Sequence, residues 1–125
     1  MDKLATLQSF FSSFLKSYEE TSIFSQPERP AFPYLTYEGV DSSYDEGLIP
    51  MNFTIWYREG SWVNAVSMAK QISRAIPSQG LKLQCDDGYI LIYKSFPFSR
   101  RMGDDSDDLI KKIVFDLDIR FYSVF

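Results

Sequence analysis

The clearest pattern in this sequence is the alternation of apolar and polar side chains along its final stretch, IKKIVFDLDIRFYSVF. The apolar positions are Ile113, Phe115, Leu117, Ile119 and Phe121, and between them lie Val114, Asp116, Asp118, Arg120 and Tyr122. Successive side chains of a β-strand point to opposite faces of the sheet, so this segment predicts a long strand with one buried face. Its other face carries a row of charged and aromatic groups.

Shorter alternations predict the remaining strands. Met51, Phe53, Ile55 and Tyr57 alternate with Asn52, Thr54, Trp56 and Arg58. The segments LKLQC and YILIYK flank Asp86-Asp87-Gly88, and an Asp-Gly step between apolar runs predicts a hairpin. Pro30 and Pro33 favour extended backbone, so Ala31 to Val40 is predicted as a strand. The following loop, Asp41 to Gly47, is too short for a helical crossover and predicts a second hairpin.

Two segments have helical periodicity. Leu4, Leu7, Phe10, Phe11, Phe14, Leu15 and Tyr18 recur at three- and four-residue steps, which predicts a helix from Lys3 to Glu20 capped by Asp2. Trp62, Ala65, Val66, Ala69, Ile72 and Ile76 predict a second helix, capped by Ser61 and ended by Pro77.

Together these elements predict an α+β fold in the order α-β-β-α-β-β-β. Two amphipathic helices are expected on one face of a mainly antiparallel sheet of about five strands. With 125 residues, of which 45% are hydrophobic, the chain has the size of one domain, residues 1–125.

Composition argues against several classes of function. The net charge is −4, and the sequence has no basic stripe of the kind that phosphate contacts require, so no sequence-specific nucleic-acid binding is expected. No apolar run approaches the roughly 20 residues of a membrane span, and the start of the chain lacks the features of a signal peptide. Histidine is absent, and the single cysteine, Cys85, is interpreted as a buried structural thiol.

Candidate catalytic and metal-binding groups all have simpler interpretations. The predicted turn accounts for Asp86 and Asp87. Asp116 and Asp118 lie about 7 Å apart along one strand face, a spacing also found in glycosidase carboxylate pairs, but Arg120 continues their row. The aspartates after Arg101 lack the spacing of a calcium-binding loop. We therefore predict a protein that is not an enzyme and has no cofactor or metal site.

Ser95 to Asp108 is predicted to be a long polar loop that carries charges of both signs. We expect Arg100 and Arg101 to bind acidic groups on an adjacent subunit, and the aspartates to meet basic groups on a subunit or partner. Those aspartates are Asp104, Asp105, Asp107 and Asp108. A loop of this length is either functional or disordered, so the alternative is a solvated loop.

The stretch PAFPYLTYE resembles a strand of the tail terminator and tail-completion proteins of long-tailed bacteriophages. The resemblance lies in Pro30, Phe32, Pro33, Tyr34, Thr36 and Tyr37, and in the order of the elements. It implies a structural α+β protein that forms a homohexameric ring on the tail tube, stops tube elongation and offers the surface to which the head joins.

The resemblance also implies the partners and the location. The partners would be other copies of the chain, the tail tube protein and a head-tail connector or head-closure protein, in a virion assembled in the host bacterial cytoplasm. The alternatives are a head-closure or other neck protein of the same particle, a non-viral α+β protein-binding module or, in a different class, a hydrolase.

Overall fold

The structure, a computed structural model, describes residues 2–20, 28–38 and 47–123. In chain order the elements are α1 (Lys3–Ser12), β1 (Ser17–Glu19), β2 (Tyr34–Tyr37), β3 (Ile49–Arg58), α2 (Val63–Ala75), β4 (Leu81–Cys85), β5 (Gly88–Met102) and β6 (Ile110–Ser123). The strands form one sheet in the order β1-β2-β3-β6-β5-β4. The α+β class is confirmed, but the sheet has six strands rather than about five, and β1 pairs with β2 in parallel.

The strand β1 was missed because its residues continue the helical periodicity of α1. The helix begins as predicted, with the Asp2 carboxylate accepting a hydrogen bond from the Ala5 amide at 2.8 Å. It ends at Ser12 rather than at Glu20. The chain then joins the sheet, where the Leu35 amide donates to the Lys16 carbonyl at 2.9 Å. Pairing with the backbone of β2 thus outweighs the local helical pattern.

The aromatic strand is shorter than predicted and is buried on both faces. It spans Tyr34–Tyr37 instead of Ala31 to Val40, and it pairs antiparallel with β3, which confirms the predicted hairpin. Residues 39–46, which include most of the predicted loop, lie outside the described residues. Leu35 and Tyr37 belong to the main core, whereas the Tyr34 ring stacks on Trp56 with centroids 5.6 Å apart.

The main core lies between the helices and the inner faces of β3 and β6. The predicted alternation of both strands is confirmed, since their inward residues are buried. Phe53 and Phe115 stack with their ring centroids 5.3 Å apart, and Phe11 of α1 lies 4.4 Å from Phe53. The helix α2 covers the same face with Ala65, Ala69, Ile72 and Ile76. The Ser61 hydroxyl accepts a hydrogen bond from the Val63 amide, while Trp62 holds the capping position. In the described residues, no helix is long and apolar enough to cross a membrane.

The prediction of a loop from Ser95 to Asp108 was wrong. β5 continues to Met102, and after an irregularity between Lys94 and Ser99 it pairs with β6 from Ser99↔Phe115 to Met102↔Lys112. The Phe98 ring stacks on Phe115 at 5.3 Å, which draws this polar segment onto the sheet. The connection between β5 and β6 is therefore residues 103–109.

An ion pair between a buried lysine and a half-exposed aspartate attaches α1 to the β4–β5 hairpin. The predicted turn at Asp86-Asp87-Gly88 is confirmed, and Gly88 has φ +150°, with an added Cβ falling 1.7 Å from the Tyr122 carbonyl oxygen. The Lys3 ammonium, whose side chain is 4% exposed, donates to the Asp87 carboxylate at 2.8 Å. This hydrogen bond holds the pKa of Asp87 below its ordinary value of 3.8.

The first prediction tests the core role of the aromatic strand. Leu35→Ala should lower the free energy of unfolding by about 2–5 kcal/mol, since Leu35 is fully buried in the main core. Tyr34→Ala should also destabilise the protein, because it removes the stack on Trp56. Phe32→Ala should cost less than either, since Phe32 is exposed. Thermal melts of the three variants check the order, and equal, negligible losses would show that β2 is not part of the folded core.

The second prediction concerns acid stability. A carboxyl group whose pKa is lowered by folding stabilises the fold above its unfolded pKa, and that contribution disappears as the pH falls through the folded pKa. The share due to Asp87 should therefore be lost below about pH 3.8. Asp87→Asn should have a lower melting temperature than wild type at neutral pH. Its melting temperature should also fall less than that of wild type as the pH is lowered. The control is Asp105→Asn, because Asp105 is an exposed aspartate in the β5–β6 connection. Parallel melting curves for wild type and Asp87→Asn across the acid range would contradict this role.

Candidate interaction surface

The two arginines predicted to act together lie on opposite faces of the sheet. Arg100 and Arg101 are successive residues of β5, so their side chains diverge. The Arg100 guanidinium pairs with Asp116 at 3.2 Å on the outer face. Arg101 lies on the helix face, with its guanidinium carbon 5.2 Å from the centroid of the Trp62 ring. The two side chains therefore lie on opposite faces, although Arg100 and Arg101 both line a concavity beside α2.

The four predicted aspartates lie in the β5–β6 connection, where two of them bind groups of their own chain. The Asp107 carboxylate accepts from the Arg58 guanidinium at 2.8 Å, and this bond lowers its pKa. The Asp104 carboxylate accepts from the Ser106 hydroxyl and amide, which lowers its pKa, and lies 3.9 Å from the Lys112 ammonium. Asp105 and Asp108 are exposed. Asp104 and Asp107 thus order the turn, and Asp105 and Asp108 present their carboxylates outward.

A groove that the sequence interpretation did not anticipate runs between α2 and the end of β5. Its larger part has a volume of about 790 Å³, and a neighbouring concavity of about 360 Å³ shares Val66, Lys70 and Arg101 with it. We call this surface the basic groove and define it by Trp62, Val66, Lys70, Arg74 and Arg101. The smaller concavity reaches Phe98 and Ser99 of β5. β4 pairs only with Gly88 to Ile92, so within the described residues this later part of β5 has no second strand partner.

The basic groove combines positive charge with apolar surface. Its lining contains no acidic residue. Lys70, Arg74 and Arg101 have no ion pair within the described part of the chain, whereas Arg100, which lines the smaller concavity, pairs with Asp116. The Lys111 ammonium lies 5.7 Å from the Trp62 centroid and adds positive charge beside Arg101. Val63, at the rim, is 71% exposed. Such a lining suits a ligand with acidic and apolar groups.

The sequence does contain a signal for this groove. Val66, Lys70 and Arg74 follow one another at four-residue steps and therefore form a single stripe along α2. Trp62 and Val66 were assigned to the buried face, and both are only half-buried. The contribution of Arg101 was not predictable, since its segment was interpreted as a loop.

Acidic side chains gather at the opposite side of the sheet. Glu19 pairs in register with Tyr37, which places Glu20 close to Glu38. Burial raises the pKa of Glu20, and the nearby charges of Glu38 and Glu19 raise it further. We call these three glutamates the acidic end. The charges of Glu38 and Glu19 thus oppose ionisation of the Glu20 carboxyl group.

The acidic end and the basic groove are too far apart to meet within one copy. The Glu38 amide bonds to the Asn52 carbonyl, whereas Arg101 lies opposite Ile113, which lies opposite Ile55. Glu38 and Arg101 are three strand spacings apart across the sheet and three residues apart along it. Their backbone positions are therefore about 17 Å apart. The complementary charges of the molecule therefore lie at separate places on the sheet.

A third surface is an aromatic pocket on the outer face. It has a volume of about 350 Å³ and is lined by Arg29, Phe32, Tyr34, Trp56, Asp104, Ser106 and Ile110. The Trp56 indole donates to the Thr36 hydroxyl at 2.9 Å, and the Lys112 ammonium lies 5.1 Å from the Trp56 ring. These contacts fix the rings within the fold, so the pocket is primarily structural.

The remaining candidate groups have structural partners. Cys85 is half-buried rather than buried as predicted, and this partial burial raises the pKa of its thiol, which makes it a weaker nucleophile. The Asp118 carboxylate accepts from the Ser95 hydroxyl at 3.1 Å. Among residues 2–20, 28–38 and 47–123, no group of three or more acidic or cysteine side chains is arranged to hold a metal ion.

Comparisons with protein-family models, with curated proteins and with solved structures gave no match. The function is therefore inferred from the charges and surfaces described above, together with the sequence pattern of the aromatic strand.

Proposed function

We propose that this chain is a structural assembly protein, without enzymatic activity, whose copies associate head to tail. The observation that carries the proposal is the separation of charge across the sheet. The basic groove holds cations that have no ion pair within the described residues, and the acidic end holds glutamates that repel one another. A contact between the groove of one copy and the acidic end of the next would neutralise both. Such a contact joins two different surfaces and makes a closed ring when the rotation between copies closes.

Within this class, the proposed role is that of a phage tail terminator. The pattern of Pro30, Phe32, Pro33, Tyr34, Thr36 and Tyr37 supports it, and so does the α+β class. In that role a hexameric ring of the chain would sit on the tail tube in the virion, stop its elongation and bind a connector or head-closure protein. The net charge of −4 suits a ring through which DNA passes without being held.

The third prediction concerns the oligomeric state. The wild-type protein should form a hexameric ring, either alone or on contact with the ends of tail tubes, because the head-to-tail contact leaves a complementary surface on each copy. Native mass spectrometry and mass photometry, with and without tail tubes, measure this directly. A stable dimer in both conditions would exclude a ring. A monomer in both conditions would favour a protein-binding module instead.

The fourth prediction uses the divergence of the two arginines. Arg101→Glu should prevent ring formation while the monomer stays folded, because an exposed charge contributes little to stability. Arg100→Glu makes the same change of charge on the outer face and should impair assembly less. Sedimentation at low and high salt compares the two, and salt should weaken the wild-type contact, since it screens exposed charges beyond about 8–10 Å. Normal assembly of Arg101→Glu would show that the interface lies elsewhere, for example at the sheet edges.

A further inference from the structure

The basic groove has the properties of a site for an extended acidic segment rather than for a small ligand. It is open along its length, and its cations are spread along it instead of converging on one point, since Lys70 and Arg74 lie one helical turn apart. Trp62 and Val66 provide apolar surface between those charges. The part of β5 that borders the groove has no second strand partner among the described residues, so a peptide backbone could run beside it.

The chain itself contains a segment of matching chemistry. Residues 38–47 read EGVDSSYDEG and carry Glu38, Asp41, Asp45 and Glu46, together with the aromatic Tyr44. Glu38, the described residue at the start of this segment, belongs to the acidic end and lies about 17 Å from Arg101 of the same copy by strand spacing. Because the backbone of Glu38 is held at that distance by its hydrogen bond to Asn52, a second copy is needed to bring the whole segment, Glu38 included, to the groove.

We propose that the basic groove of one copy binds the acidic segment 38–47 of a second copy. Lys70, Arg74 and Arg101 would contact its carboxylates, and Trp62 would contact its apolar and aromatic groups. This inference rests on the proposed head-to-tail assembly and names the two surfaces that meet. It assigns positional selectivity to α2, because the stripe of Val66, Lys70 and Arg74 lines the groove along its length.

The test uses a synthetic peptide of residues 38–47 and a receptor whose own segment is neutral. In the receptor, Glu38→Gln, Asp41→Asn, Asp45→Asn and Glu46→Gln are combined, so that neighbouring copies do not occupy the groove. Isothermal titration should show saturable binding of the peptide, with one peptide per chain. A peptide in which all four acidic residues are replaced by their amides should bind at least about tenfold more weakly, since the contact depends on charge complementarity.

Variants of the receptor test whether the peptide binds in the groove. Lys70→Glu with Arg74→Glu should weaken binding of the acidic peptide at least about tenfold. Lys82→Glu is the control for a charge reversal outside the groove, because Lys82 is an exposed lysine of β4, and it should leave binding unchanged. Trp62→Phe should abolish any change in tryptophan fluorescence on binding, because Trp56, the other tryptophan, lies on the outer face.

The outcomes separate this inference from the proposed function. If wild type forms rings but the peptide does not bind, or binds the groove variants equally well, the inference is wrong and the assembly stands. If the peptide binds the groove while wild type stays monomeric with tail tubes present, the ring is wrong and the preference of the groove for an acidic segment stands. Equal binding of the acidic and amide peptides would also overturn the inference.

Discussion

The fold depends on the pairing of β3 with β6. Their register runs without interruption from Ile49↔Ile119 to Arg58↔Ile110. On its inner face the Phe53–Phe115 stack receives Phe11 from α1, so the longest uninterrupted strand pairing and the first helix share one buried aromatic cluster. β2 and β1 extend the sheet from one side of this pair, and β5 and β4 extend it from the other. The positions of both charged surfaces follow from this arrangement, because the acidic end lies beyond β3 and the basic groove lies beyond β6.

The sequence predicted the centre of the sheet well because burial there follows the strand period. The alternation around Phe115 and Phe53 has only one consistent face, and the Asp86-Asp87-Gly88 turn fixes the β4–β5 hairpin locally. β1 could not be predicted, since Ser17–Glu19 continues a helical pattern and becomes a strand only by pairing with β2. The second half of β5 was not predicted as a strand, because its composition is polar. It belongs to the sheet because it pairs with β6 and because Phe98 stacks on Phe115.

Some groupings of charged residues were likewise predictable from the local sequence, whereas others depend on strand pairing. Arg100 and Arg101 are adjacent in sequence and were predicted to act together, but a strand sends them to opposite faces, where one pairs with Asp116 and the other flanks Trp62. Lys70 and Arg74 are four residues apart and share one face of a helix, so their grouping was available from the sequence once α2 was assigned. The acidic end was not predictable, because Glu19 and Glu38 come together only through the parallel pairing of β1 with β2. In this protein, strand register therefore determines which charged residues of the strands lie on the same surface.

In the proposed assembly, the basic groove of one copy meets the acidic end of another. Zero-length carbodiimide cross-linking of an equal mixture of ¹⁴N- and ¹⁵N-labelled protein can detect this contact, since mass spectrometry then separates links between copies from links within one copy. Mixed-isotope links should join Lys70 to Glu38 or to the acidic residues that follow it. Links from Lys70 only to acidic residues of the same copy, or none from Lys70 while other lysines are linked between copies, would contradict it.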